Sequence, residues 1–164
     1  MRVLHGDEHI RVLIADDDEH ILQAYREAFS DTESTQEMRA LDALAAELFE
    51  PSDVCSDEPH FDVVVCSQGD DAIDLAKQAA NDGNPFDVII LDVRMPPGID
   101  GIEAGSQIRE LDPDVEIVFV TGFSDMPLEE LQRRVPPPLK LHYFNKPLSF
   151  SQLAQDVVSM VREN

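Results

Sequence analysis

Apolar and polar positions along this chain follow two different periods. Runs rich in Val, Ile and Leu, bounded by turn residues, predict strands at Arg11–Ala15, Phe61–Ser67, Asp87–Leu91, Glu116–Val120 and Leu141–Phe144. The first four are nearly continuous in apolar residues, as in strands covered on both faces. Helical spacing fills the gaps. Ile21, Leu22, Tyr25, Ala28 and Phe29 share one helix face, and Ala72, Ile73, Leu75, Ala76 and Ala79 share another, which stops at "NDGNP". Helices over Ile102–Leu111, Pro127–Val135 and Phe150–Val161 complete the set, the last opened by Ser149 and Gln152 in capping-box spacing. Strand then helix, five times over, predicts an α/β fold on a parallel sheet.

One segment breaks the alternation. About thirty residues, Asp31 to His60, stand where a short connection is expected. Met38, Leu41, Leu44, Ala45, Leu48 and Phe49 trace the face of an additional helix there. Asp31, Glu33, Glu37, Asp42, Glu47, Glu50, Asp53, Asp57 and Glu58 against Arg39 give this insertion a net charge of −8. The expected organisation is a tail at 1–10 and one domain over 11–164, with an acidic helical insertion at about 31–60.

Composition narrows the partners. With 34 acids against 12 bases the net charge is −22, which repels nucleic acid and anionic membranes, so direct DNA binding is not expected. No apolar run is long enough to cross a bilayer, and "MRVLHGDEH" lacks the apolar stretch of a secretory signal. Cys55 and Cys66 have no metal-ligand spacing and are expected reduced, in a cytoplasmic protein. The five histidines form no ligand cluster: His5 and His9 fall in the tail, and His20 is expected at the surface.

The candidate chemistry gathers at strand ends. Asp16, Asp17 and Asp18 follow the first strand, Asp92 ends the third, Thr121 closes the fourth and Lys146 follows the fifth. All strands of a parallel sheet end on one edge, where sites form. If the first strand lies beside the third, Asp16, Asp17 and Asp92 form a cluster of three carboxylates. Such a cluster needs a counter-charge, and Mg²⁺ suits it, since it takes a few hard oxygens and leaves coordination open to a phosphate. Thr121 would then offer a hydroxyl, and Lys146 a cation, to a neighbouring anion. On its own, a strand-end "DDD" is most often a helix N-cap with solvated charges.

The set "ADDDE", "ILDVRMPPGIDGIE", "IVFVTG" and "YFNKPL" resembles the receiver domain of two-component response regulators, of the chemotaxis-regulator type. The resemblance implies a flavodoxin-like, doubly wound five-stranded sheet in the order 2-1-3-4-5. It also implies that Asp92 accepts a phosphoryl group from a histidine kinase or histidine phosphotransfer protein. Asp17 would contact Mg²⁺ directly and Asp16 mainly through water, with Asp92 and the backbone carbonyl of Arg94 as further ligands. Lys146 would pair with Asp92 before transfer and with a phosphoryl oxygen after it, and the Lys146–Pro147 bond would be cis. Thr121 and Tyr143 would act as the switch, repacking the face of the fourth helix, fifth strand and fifth helix toward an effector domain or a second copy.

Two features depart from the common receiver pattern, besides the insertion. "MPPGIDG" is one residue longer than usual between Met95 and Asp100. Arg94 brings a long cation next to the phosphoacceptor, and slow autohydrolysis is expected from it. Two other readings compete. A haloacid-dehalogenase-like phosphatase also uses a D-x-D motif, met by Asp16 and Asp18, but wants an acid pair late in the chain, where only Asp156 and Glu163 follow Lys146. A receiver acting as a scaffold without phosphorylation is the third. No enzyme activity on other substrates is expected, and no DNA-binding helix pair follows the fifth helix.

Overall fold

A computed structural model of the protein describes residues 9–30, 59–122, 127–137 and 140–163. The expected insertion helix, Cys55, His5 and most of the tail lie outside the described residues. Among the described residues, ten elements alternate: β1 His9–Ala15, α1 Glu19–Ser30, β2 His60–Cys66, α2 Gly69–Asn81, β3 Val88–Asp92, α3 Gly101–Leu111, β4 Glu116–Thr121, α4 Leu128–Arg134, β5 Leu141–Asn145 and α5 Phe150–Arg162. The strands form one parallel sheet in the order β2-β1-β3-β4-β5, the flavodoxin-like arrangement.

Side chains of a strand point alternately to its two faces, and the core divides accordingly. Leu13, Ala15, Ile89, Leu91, Ile117 and Phe119 face α2, α3 and α4, meeting Ala72, Ala76, Ile102, Ile108 and Leu131. Ile10, Val12, Ile14, Val88, Ile90, Val118 and Val120 face α1 and α5, meeting Leu22, Tyr25, Phe29, Leu153 and Val157. Burial on both sides explains the unbroken apolar runs. The first strand starts two residues before its expected limit: His9 and Ile10 belong to β1, opposite His60 and Phe61, and Ile10 is buried. The apolar support for these residues comes from β2 and the α1/α5 layer, which local sequence does not display.

Local chemistry ends the helices where expected. Asp82 caps α2, and Gly83 follows with φ of 74°, a conformation that favours glycine. Only half of the expected capping box forms on α5: the Gln152 N–H donates to Ser149 Oγ, while the Gln152 side chain donates to Asp156 instead. Lys146–Pro147 is cis, as expected.

The junction of β3 and α3 is the tightest in the sheet edge. A Cβ on Gly101 would lie 2.0 Å from the carbonyl oxygen of Asp92, so the first turn of α3 rests directly on the backbone of that residue. The Gly101 N–H donates to Val93 O at 2.9 Å, and Asp100 caps the helix by accepting from the Glu103 N–H at 2.7 Å. Gly101→Ala should therefore cost about 3 kcal/mol in urea unfolding, because backbone and not a flexible side chain must yield. A loss below about 1 kcal/mol would contradict this packing.

Candidate functional site

Strand register assembles the site. Ala15 lies opposite Leu91 across the β1–β3 pair, so the next residue of each strand, Asp16 and Asp92, emerges at the same level. Thr121 pairs with Asn145 across β4 and β5, and the Lys146 N–H donates to Thr121 O at 2.8 Å. The condition set by the sequence, the first strand beside the third, is met. All four strand ends reach one edge.

The three consecutive acids have three different jobs. Asp16 is only 1% exposed. Its Oδ1 accepts from the Asp18 N–H at 2.9 Å, and its Oδ2 accepts from Lys146 Nζ at 2.9 Å. Asp18 is the N-cap of α1, taking the His20 N–H on Oδ1 at 2.9 Å, so the helix-cap reading holds for this residue. Asp17 is exposed. One carboxylate oxygen each from Asp16, Asp17 and Asp92 lies within 4.8 Å of the others. Hard anionic oxygens at that spacing suit Mg²⁺, so the donor set fits the ion the sequence suggested.

Lys146 lies between the two buried acids. Its Nζ donates to Asp16 Oδ2 at 2.9 Å and to Asp92 Oδ2 at 3.3 Å. The expected partner of Lys146 was Asp92; the shorter bond goes to Asp16. Burial, and then the charge of Asp16, raise the Asp92 carboxyl above the usual carboxylate range, and Lys146 only partly offsets them. For Lys146, burial alone would lower the pKa; the bond to Asp16 and the charges of Asp16 and Asp92 outweigh it and hold the ammonium above its ordinary value.

The remaining expected residues fall around this centre. Thr121 is buried at the end of β4. Arg94 is exposed, and its N–H lies 3.5 Å from Asp92 Oδ1, a long contact. Tyr143 sits opposite Phe119 on β5, half-buried against the α2/α3/α4 layer. Sequence reading assigned Tyr25 to the core only. The ring is buried against Phe150, centroids 4.8 Å apart, while burial and the charges of Asp16 and Asp92 raise its phenol above the ordinary value. The late acid pair of a phosphatase does not form: Asp156 bonds Gln152 along α5 and is absent from the carboxylate cluster.

Asp92 has a folded pKa above its unfolded one, so it binds its proton more tightly in the folded state. Its ionisation therefore opposes folding increasingly as pH rises through the interval between the two values. Asp92→Asn should raise the Tm of the metal-free protein at pH 7, with the gain vanishing at pH 3. An equal or lower Tm at pH 7 in EDTA would show that Lys146 already neutralises the site.

Comparison with known proteins agrees with this geometry. The family model "Response regulator receiver domain" matches residues 51–157. The sensor kinase CckA of Brucella abortus (strain 2308) is 27% identical over 103 residues, 63% of this chain and 10% of the kinase. The response regulator receiver protein CpdR of the same organism is 32% identical over 77 residues, 47% of this chain and 61% of CpdR. The chain thus spans less than two thirds of either relative. A crystal structure of a response regulator receiver protein from Sinorhizobium medicae WSM419 superposes with a TM-score of 0.65 at 23% identity, covering 94% of this chain and 96% of that one. A CheY-like receiver domain protein from Methanospirillum hungatei JF-1 gives 0.66 at 15% identity, with 94% of each chain covered. At such identities the superpositions speak for the fold, and the family match supplies the rest: the chain belongs to the response regulator receiver domain family.

Proposed function

We propose that this domain is a phosphorylation-controlled signalling switch in which Asp92 is the phosphoacceptor. The observation that carries the reading is the sharing of one ammonium, Lys146 Nζ, between the buried carboxylates of Asp16 and Asp92. That arrangement holds a nucleophile oriented, largely buried and short of counter-charge. An Asp92 oxygen attacks the phosphorus of a phosphohistidine, the P–N bond breaks, and its electron pair leaves with the imidazole, which solvent protonates. Lys146 Nζ turns from Asp92 to a phosphoryl oxygen, and the Thr121 hydroxyl binds another. Asp16, Asp17, Asp92 and the Arg94 carbonyl would hold Mg²⁺, which would supply neutralisation of the phosphoryl oxygens. Positioning and neutralisation are the main needs of phosphoryl transfer.

The donor is a histidine kinase or a histidine phosphotransfer protein. The readout is a population shift in the face formed by α4, β5 and α5, through Thr121 and Tyr143, toward an effector domain or a second copy. The only catalysis is the domain's own phosphorylation and dephosphorylation. No described helix is long and apolar enough to cross a membrane, and a cytoplasmic location belongs to this reading. A single receiver domain that counts the acidic segment between Ser30 and His60 within it belongs to the same reading.

Intact mass after incubation with acetyl phosphate tests the proposal. One phosphoryl adduct is expected in the presence of Mg²⁺, lost in Asp92→Asn; an adduct that persists in that variant, or none in the folded wild type, would sink it. Exposed Arg94 should shield the acyl phosphate from water, so Arg94→Asn is expected to shorten the phosphoryl lifetime several-fold. An unchanged or longer lifetime would remove Arg94 from that role.

A further inference from the structure

We infer that Gln68 is a positioning residue that latches the loop following Asp92, an inference that rests on the phosphoacceptor reading of the site. Pro96 and Pro97 have no N–H, so Gly98 is the first backbone donor after Met95. This stretch cannot close on itself with ordinary backbone bonds, and it is exposed. The Gln68 carboxamide supplies both missing partners. Its Nε2 donates to Pro96 O at 3.3 Å, and its Oε1 accepts from the Gly98 N–H at 3.2 Å. The orientation of the amide is fixed by chemistry, since a flip would set oxygen against carbonyl and NH₂ against N–H.

Three further observations fit a latch. Gln68 occupies the N-cap of α2 yet makes no side-chain cap bond there, where Ser, Thr, Asp or Asn would do better. Its carboxamide is committed across the gap instead. The adjacent Gly69 lets the helix lie on the same loop: a Cβ would stand 3.0 Å from Ile99 Cγ1 and 3.1 Å from Ile99 O. On the opposite side, Gly98 leaves room for the carboxamide, because a Cβ there would be 2.7 Å from Gln68 Oε1. Beyond the stretch, the chain is pinned again at the Gly101 N–H on Val93 O. Gln68 thus restrains the exposed span Pro96–Gly98 on the far side of the buried Met95, so that the Arg94 carbonyl needed by the proposed ion site is held from both the core and the latch.

The latch can be broken from either side. Gln68→Ala removes the carboxamide; Gly98→Ala pushes it out, in a backbone conformation that an alanine tolerates. In each, amide exchange at Gly98 should rise ~3–10-fold, the equivalent of one or two modest hydrogen bonds, while Gly101 keeps its protection. Mg²⁺ affinity by titration calorimetry should fall several-fold in both, and the double variant should be no worse than either single. Unchanged exchange at Gly98 in Gln68→Ala, or faster exchange with unchanged Mg²⁺ affinity, would overturn the inference. Failure of the wild type to bind Mg²⁺ would instead overturn the reading beneath it, and shows before any variant is made.

Discussion

Asp16 and Asp92 bring two buried carboxylates to adjacent strand ends, and Lys146, from the far edge strand, reaches across to both. The arrangement constrains the rest of the fold. β1 must lie beside β3 so that the acids meet, and β4 must separate β3 from β5 so that the lysine arrives over the top of Thr121. A slip of one residue in any of these registers would send an acid or the lysine to the other face. The lysine supplies one positive charge to a cluster of three carboxylates, so the edge retains unneutralised negative charge that a hard cation can answer.

The flanking helices are fitted to that edge. Asp18 starts α1 immediately after the cluster, and Gly101 lets α3 start on the carbonyl of Asp92. On the other side of the sheet, aromatic contacts run edge-to-face from Phe61 to Phe29, at a tilted angle from Phe29 to Tyr25, and edge-to-face again to Phe150 at the start of α5. Within that run of contacts, the charges of Asp16 and Asp92 act together with burial on the phenol of Tyr25. Aromatic packing therefore joins the helix that follows the acids to the helix that follows the lysine. A rearrangement at either strand end would be felt by both.

Much of this was legible in the sequence. Strands covered on both faces leave apolar runs, so each strand lies within two residues of its expected limits. The four chemical strand ends stood out because charged and hydroxyl groups interrupt those runs. Strand order came from family resemblance, since periodicity says nothing about which strands are neighbours. The shorter bond of Lys146 to Asp16 spans 130 residues, and no local pattern encodes it. The division of labour among Asp16, Asp17 and Asp18 was equally hidden, because three identical side chains differ only in direction. Gln68 left a fainter trace: a long amide at a cap position, followed by glycine. The family match begins at residue 51, so β1 and its acids join the site through the sheet.

The most direct test of the shared ammonium is the unfolding free energy of Lys146→Met against wild type over a Mg²⁺ titration. In EDTA the variant leaves two buried acids facing each other without their lysine, at a loss of roughly 3 kcal/mol. Added Mg²⁺ should narrow that gap, because a bound cation replaces part of the missing charge. A gap of the same size at every Mg²⁺ concentration would mean that the lysine and the ion do not serve the same carboxylates.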